Sequence, residues 1–242
     1  MTKPTTRRAA PVTPAGRLRP ARRRRLDGAA PLGLLGIALF LVVLELAPRW
    51  GLVDERFLPP FSSMASAFRE RVQTPEFWTA LGQTLTTWGI GLGIALAAGV
   101  VAGVVIGSVP VLRAATASTI EFLRPIPSVA LIPVAILLYG TSMRSTLLLV
   151  VYASFWQVLV QVLYGVQDVD PVARETARSY RFSALTQVRT VIWPTTLPYA
   201  MTGLRLAATV ALILTVTGEL IIGTPGLGNL LSLAQTSGAV AS

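Results

Sequence analysis

Five charged residues crowd into one short stretch of an otherwise apolar chain: Asp170, Arg174, Glu175, Arg178 and Arg181. None is a nucleophile. What such a set offers is recognition, through charge and charge-assisted hydrogen bonds. Other means of chemistry are scarce. There is no His and no Cys in the 242 residues. That removes the commonest metal ligand and general base, and all thiol and disulfide chemistry. The only lysine is Lys3, near the start. A phosphate-binding loop needs a lysine after its glycines, so this chain cannot hydrolyse ATP in the P-loop manner, and no cofactor is expected on it. A membrane enzyme has little to work with.

The charged stretch has its own local order. Pro171 is suited to the first turn of a helix, and Asp170 before it to the N-cap. The helix then places Val172, Ala173, Thr176 and Ala177 on one side, with Arg174, Glu175 and Arg178 on the rest. A second short helix is expected over residues 184–191, after which Pro194 and Pro198 start the next element. Pattern alone leaves two readings open: a helix that docks into a groove of a soluble partner, or a solvated loop helix.

The elements around it are membrane-like. The chain is 52% hydrophobic and 13% charged, a balance that predicts an all-α polytopic membrane protein. Spans are expected over residues 28–47, 77–112, 112–140, 145–167 and 197–222, each near or above the ~20 residues a crossing needs. A proline segment, Leu58-Pro59-Pro60-Phe61-Ser62, follows the first span; Ser62 or Ser63 is expected to cap an outer amphipathic helix bearing Met64, Ala65, Phe68 and Val72. Gly89, Gly91, Gly93, Gly99, Gly103 and Gly107 in the second span let helices approach closely. Pro125, Pro127 and Pro133 break the third. Broken helix at membrane depth is tolerated only inside protein or beside water. A short helix is expected over residues 229–235, and the C-terminus outside.

Few polar side chains interrupt the spans. Arg124 is either the i,i+3 partner of Glu121 or part of a transport path. Gln157 and Gln161 share one helical face and serve either helix contacts or a path. Thr215 and Glu219, toward the outer end of the fifth span, are further candidates to line the path, and Arg205 is expected to snorkel toward the inner side. The net charge of +10 is concentrated in residues 1–27. A basic arm beside a first span is a topology signal that puts the N-terminus in the cytoplasm. It also suits anionic lipid, and nucleic acid is not an expected partner. An Arg-rich presequence is the alternative, although the Pro- and Ala-rich composition favours disorder over an amphipathic helix.

Glu175-Thr176-Ala177 followed by Val191-Ile192-Trp193-Pro194 resembles the EAA loop of permease subunits of bacterial ABC importers. More narrowly, the chain is similar to the nitrate, sulfonate and taurine group. Phe122-Leu123-Arg124-Pro125-Ile126-Pro127, Val169-Asp170-Pro171, Leu197-Pro198, Gly203-Leu204-Arg205 and Gly226-Leu227-Gly228 fall in the group's order. Thr176 stands where the family has Ala, Trp193 where it has Leu, and Arg181 where it has a glycine that lets the chain turn, at a cost of about 1 kcal/mol to other residues at positive φ. The resemblance implies a MetI-like helical bundle in the bacterial inner membrane, with residues 28–242 as the permease domain and 168–193 as the ATPase-coupling loop. The resemblance also implies one more span after Gly226-Leu227-Gly228, which is not among these 242 residues, as expected of either a fragment or a shortened natural variant. Partners implied are an ABC ATPase subunit carrying ATP and Mg, an extracytoplasmic solute-binding protein and a second permease copy. Asp170, Arg174, Glu175, Thr176, Ala177, Arg178, Arg181, Pro194 and Pro198 fall in the coupling region, with Glu175 and Ala177 expected to face the ATPase. A secondary transporter or channel is the rival reading. Against it, no inverted repeats are obvious, and only Glu45 and Glu219 are available as buried carboxylates for a proton relay.

Overall fold

The computed structural model describes residues 29–54 and 57–236; the basic tail and its topology lie outside them. Every regular element among the described residues is helical. Helix α1 (Ala29–Arg49) is apolar on all sides and scarcely buried. Helix α2 (Phe61–Val72) lies beside it with no buried residue. Neither Ser62 nor Ser63 caps α2; Pro60 holds that position, and its ring has no hydrogen-bond acceptor. The acceptor comes from α1 instead. Glu45 takes the Ser62 N–H at 2.8 Å and the Ser62 hydroxyl at 2.9 Å, and Arg49 pairs with the same carboxylate. A carboxylate satisfies an orphan N–H and suits the positive end of the helix dipole.

Helix α3 (Pro75–Ser108) is a 34-residue rod, about 51 Å long at 1.5 Å per residue. It stops at Val109 and not at Leu112. Pro110 disfavours the helical region for the residue before it, and Val109 is extended, with φ −111° and ψ 107°. Helices α4 (Pro110–Leu123) and α5 (Ile132–Tyr139), with a tight turn Ser128–Leu131 between them, form one apolar segment bent by 82°. Pro125 and Pro127 lie in the bend. Pro133 does not break anything; it sits in the first turn of α5, where a missing N–H costs little. Helix α6 (Met143–Gln167) ties both helices: the Tyr152 hydroxyl donates to the Leu123 carbonyl at the bend at 2.6 Å, and Ser145 to the Gly140 carbonyl at the far end of α5 at 2.5 Å.

The remaining elements are α7 (Pro171–Ser179), α8 (Ala184–Gln187), α9 (Trp193–Ile222) and α10 (Leu227–Thr236). Four helices are long and apolar enough to cross a membrane, or five if the bent pair counts as one. Pro194 and Pro198 do not begin a separate span. Residues 184–222 form one continuous 39-residue helix. Its Val188–Ile192 turn is π-helical, with the Trp193 N–H bonded to the Val188 carbonyl. A proline ring clashes with the carbonyl four residues earlier, and widening the turn before Pro194 moves that carbonyl aside. Threonine hydroxyls bind carbonyls along the same stretch, Thr195 to Val191 at 3.2 Å and Thr202 to Pro198 at 3.0 Å.

The core is the seam where α3 and α9 clasp α6. Gly91, Ala95, Gly99, Gly103 and Gly107 recur every fourth residue along α3 and are buried. They face Val150, Val158, Val162 and Val166 of α6. A Cβ added at Gly103 would lie 2.6 Å from Val162 Cγ1, and one at Gly99 2.8 Å from Val158 Cβ. Gly89 and Gly93 take no part; nothing lies within 4 Å of a Cβ there. On the other side of α6, Gly165 meets Thr196 and Tyr199, while Gly203 and Gly218 of α9 receive Gln161 and Thr146. Between helices in lipid the attraction is packing, so close backbone approach sets the strength of the seam.

Gly103→Ala should lower the thermal stability of the detergent-solubilised protein by about 1–3 kcal/mol through overpacking. Adding Val162→Ala should restore most of that loss; no restoration would mean that the two helices do not meet there.

Candidate functional site

The charged stretch forms a bracket between α6 and α9. Asp170 is the N-cap of α7, and its Oδ1 accepts the Val172 N–H at 2.8 Å. Asp168, two residues earlier, accepts the Tyr199 hydroxyl at 2.9 Å and ties the loop entry to α9. At the other end of α7 the Phe182 N–H bonds to the Ala177 carbonyl at 3.0 Å and the Arg181 N–H to the Arg178 carbonyl at 2.8 Å. This double closure is a Schellman motif, which puts its C′ residue in the left-handed region. That residue is Arg181, at φ +54°, the one non-glycine residue at positive φ among those described.

The two sides of α7 differ. Glu175, Thr176 and Arg178 are exposed, as is Val172 at 67%. Ala177 is 4% exposed, packed under the helix, and the outward groove also reaches it. Arg174 also turns inward. Its guanidinium donates to the Val166 carbonyl in the last turn of α6. Such carbonyls lack helical partners, and a cation there suits the negative end of the dipole. Burial holds the Arg174 guanidinium below its ordinary pKa, and Arg178 and Arg113 nearby push in the same direction.

Outward, the bracket carries an open groove of about 530 Å³ lined by residues including Val172, Thr176, Tyr180, Phe182 and Val191. Tyr180 is 74% exposed and its ring centroid is 6.4 Å from that of Phe182. Neither aromatic carries a signal that singles it out in the sequence beyond following a charged helix. Pro194 and Pro198 lie inside the long α8–α9 helix and are exposed.

The polar residues of the spans scatter. Arg124 is exposed at the end of α4 and makes no ion pair with Glu121. Gln157 and Gln161 are half-buried on the α6 face that meets Gly203. Thr215 is fully buried and donates to the Ala211 carbonyl of its own helix at 2.8 Å. Glu219 is 1% exposed and works as a latch. Its Oε2 accepts the Thr84 hydroxyl at 2.9 Å and the Gly228 N–H at 3.0 Å, and Thr84 in turn accepts the Leu227 N–H at 2.9 Å. The latch binds α3, α9 and the start of α10. A Cβ at Gly226 would lie 2.1 Å from the Glu219 carboxyl carbon, and its φ of +156° also favours glycine. Glu219 and Thr215 are therefore enclosed within the single chain.

Residues 89–242, more than half the chain, match the model of the binding-protein-dependent transport system inner membrane component family. The chain belongs to that family. It is 30% identical over 197 residues to the taurine transport system permease protein TauC of Escherichia coli (strain K12), covering 79% of this chain and 72% of that one. It is 26% identical over 163 residues to the nitrate import permease protein NrtB of Leptolyngbya laminosa, covering 67% and 58%. With the bicarbonate transport system permease protein CmpB of Synechocystis sp. (strain ATCC 27184 / PCC 6803 / Kazusa) it shares 28% over 224 residues, covering 86% and 76%. The chain is thus a multi-pass membrane permease of the ABC importer type, and the family member is not itself the catalytic subunit.

Asp170→Ala should cost about 1 kcal/mol through loss of the cap, whereas Arg181→Gly should gain about 1 kcal/mol by removing left-handed strain. Thermal melts of the two purified variants check both signs.

Proposed function

We propose that this permease forms the translocation pathway of an ATP-driven importer and takes its drive from a separate ATPase through residues 168–193. The observation that carries the reading is the two-sidedness of α7. Its inner side is pinned to α6 through Arg174 and to the bundle through Ala177. Its outer side presents Glu175 and Thr176 beside an apolar groove with exposed aromatic rings. Exposed apolar side chains rimmed by charge mark protein contact surfaces. An ATPase seated there would pull on α6 and on the α8–α9 helix together, biasing the pathway between two access states.

In this reading ATP and Mg are held by the ATPase, and this chain needs no cofactor. An extracytoplasmic binding protein delivers solute, two permease copies pair in the inner membrane, and the arginine-rich N-terminus stays in the cytoplasm. The solute is a small oxyanion or sulfonate such as nitrate, sulfonate or taurine; relatives named for taurine, nitrate and bicarbonate support that class. Gln157 and Gln161, whose side-chain amides have no hydrogen-bond partner among the described residues, are the pathway residues favoured here.

Glu175→Arg should abolish most ATP-dependent solute uptake while leaving membrane insertion intact. Uptake assays at matched expression decide it: normal uptake would remove Glu175 from the docking surface. Arg181→Gly should keep or raise uptake in the same assay, and a clear fall would give the arginine a contact of its own.

A further inference from the structure

Behind the coupling loop lies a small cavity of about 200 Å³, on the other side of Ala177 and Val191 from the outward groove that they also line. Its walls come from the end of α3 (Ser108, Val109), from the inner side of α7 (Arg174, Arg178) and from the π turn ahead of α9 (Val188, Ile192). Two polar atoms buried at its walls have no partner, Arg174 Nε and the Ser108 hydroxyl. Arg113, just past the start of α4, is close enough to act on Arg174 electrostatically, as is Arg178. None of the three arginines makes an ion pair among the described residues. Buried donors without acceptors are costly, and three cations gathered without a carboxylate repel one another.

We propose that this cavity is an oxyanion site, taking one tetrahedral phosphate-type group between Arg174, Arg178 and Ser108. Such a group supplies the acceptors that Arg174 Nε and the Ser108 hydroxyl lack. It also neutralises the arginine cluster where α3, α6 and α9 converge on the coupling loop. The chemistry is shared by two sources: the phosphate of an anionic phospholipid at the membrane face, and a free inorganic oxyanion. The site is independent of whether an ATPase docks on the far side of α7.

The full chain, purified and placed in phosphatidylcholine nanodiscs, tests this. Thermal stability is followed while inorganic phosphate replaces chloride at constant ionic strength, and again in discs containing phosphatidylglycerol. A saturable rise with phosphate in the neutral discs assigns the site to a free oxyanion; a rise only with phosphatidylglycerol assigns it to lipid. Arg178→Gln, at an exposed position, and Ser108→Ala should each fold. Each should weaken the effective ligand by about tenfold, as expected for loss of one charge-assisted or buried hydrogen bond. No stabilisation by either source, or stabilisation unchanged in both variants, overturns the proposal.

Discussion

The close approach of α3 to α6 is the constraint on which the rest depends. Glycine or alanine every fourth residue on α3 leaves a groove, and Val150, Val158, Val162 and Val166 of α6 fill it. β-Branched side chains lose little rotamer freedom when buried this way, because few rotamers are open to them in a helix. The seam runs along the second half of α3 and most of α6, from Gly91 against Val150 to Gly107 against Val166. It fixes where the inner end of α6 stands, and therefore where its unsatisfied carbonyls stand. Arg174 reaches one of those carbonyls, so the position of α7 follows from the packing of α3 on α6.

The second attachment of the loop is the long α8–α9 helix. Its π turn looks like a point of weakness, since two prolines follow it. Packing argues otherwise: Ile192 is 6% exposed and belongs to the same apolar cluster as Val158, Val162 and Val166, with Val188 and Val191 against it. A widened turn whose side chains are held in the core is a fixed shape. At the opposite end, Glu219 and Thr84 close α9 against α3. The bracket, the rod and the latch are thus three attachments to one three-helix core.

Local features were legible in the sequence. Asp170 before Pro171 specifies a cap and a first turn, and both are there. The glycine expected by family resemblance at position 181 corresponds to a left-handed residue, and the chain adopts that conformation even with arginine. Features that need the partner element were not legible. Gly89, Gly91 and Gly93 look alike in a periodic apolar run, yet only Gly91 meets α6, because the phase is set by Val150. Ala177 reads as an open position beside Glu175, yet folding the loop back leaves it 4% exposed at the floor of the groove. The Glu219–Thr84 bond joins residues 135 positions apart, so no local pattern announces it. Pro194 and Pro198 read as breaks by soluble-protein rules, but a membrane helix re-satisfies the freed groups with threonine hydroxyls and a π turn.

The central claim is that the α7 loop and the fifth apolar helix form one rigid body. The chain contains no cysteine, so spin labels can be placed at introduced cysteines without clearing a background. Labels at Thr186 on α8 and Leu212 on α9 bracket the π turn. Their separation should be the same in the transporter complex with and without bound ATP. A separation that changes between the two states would show that the helix bends at Val188–Ile192, and would contradict the account.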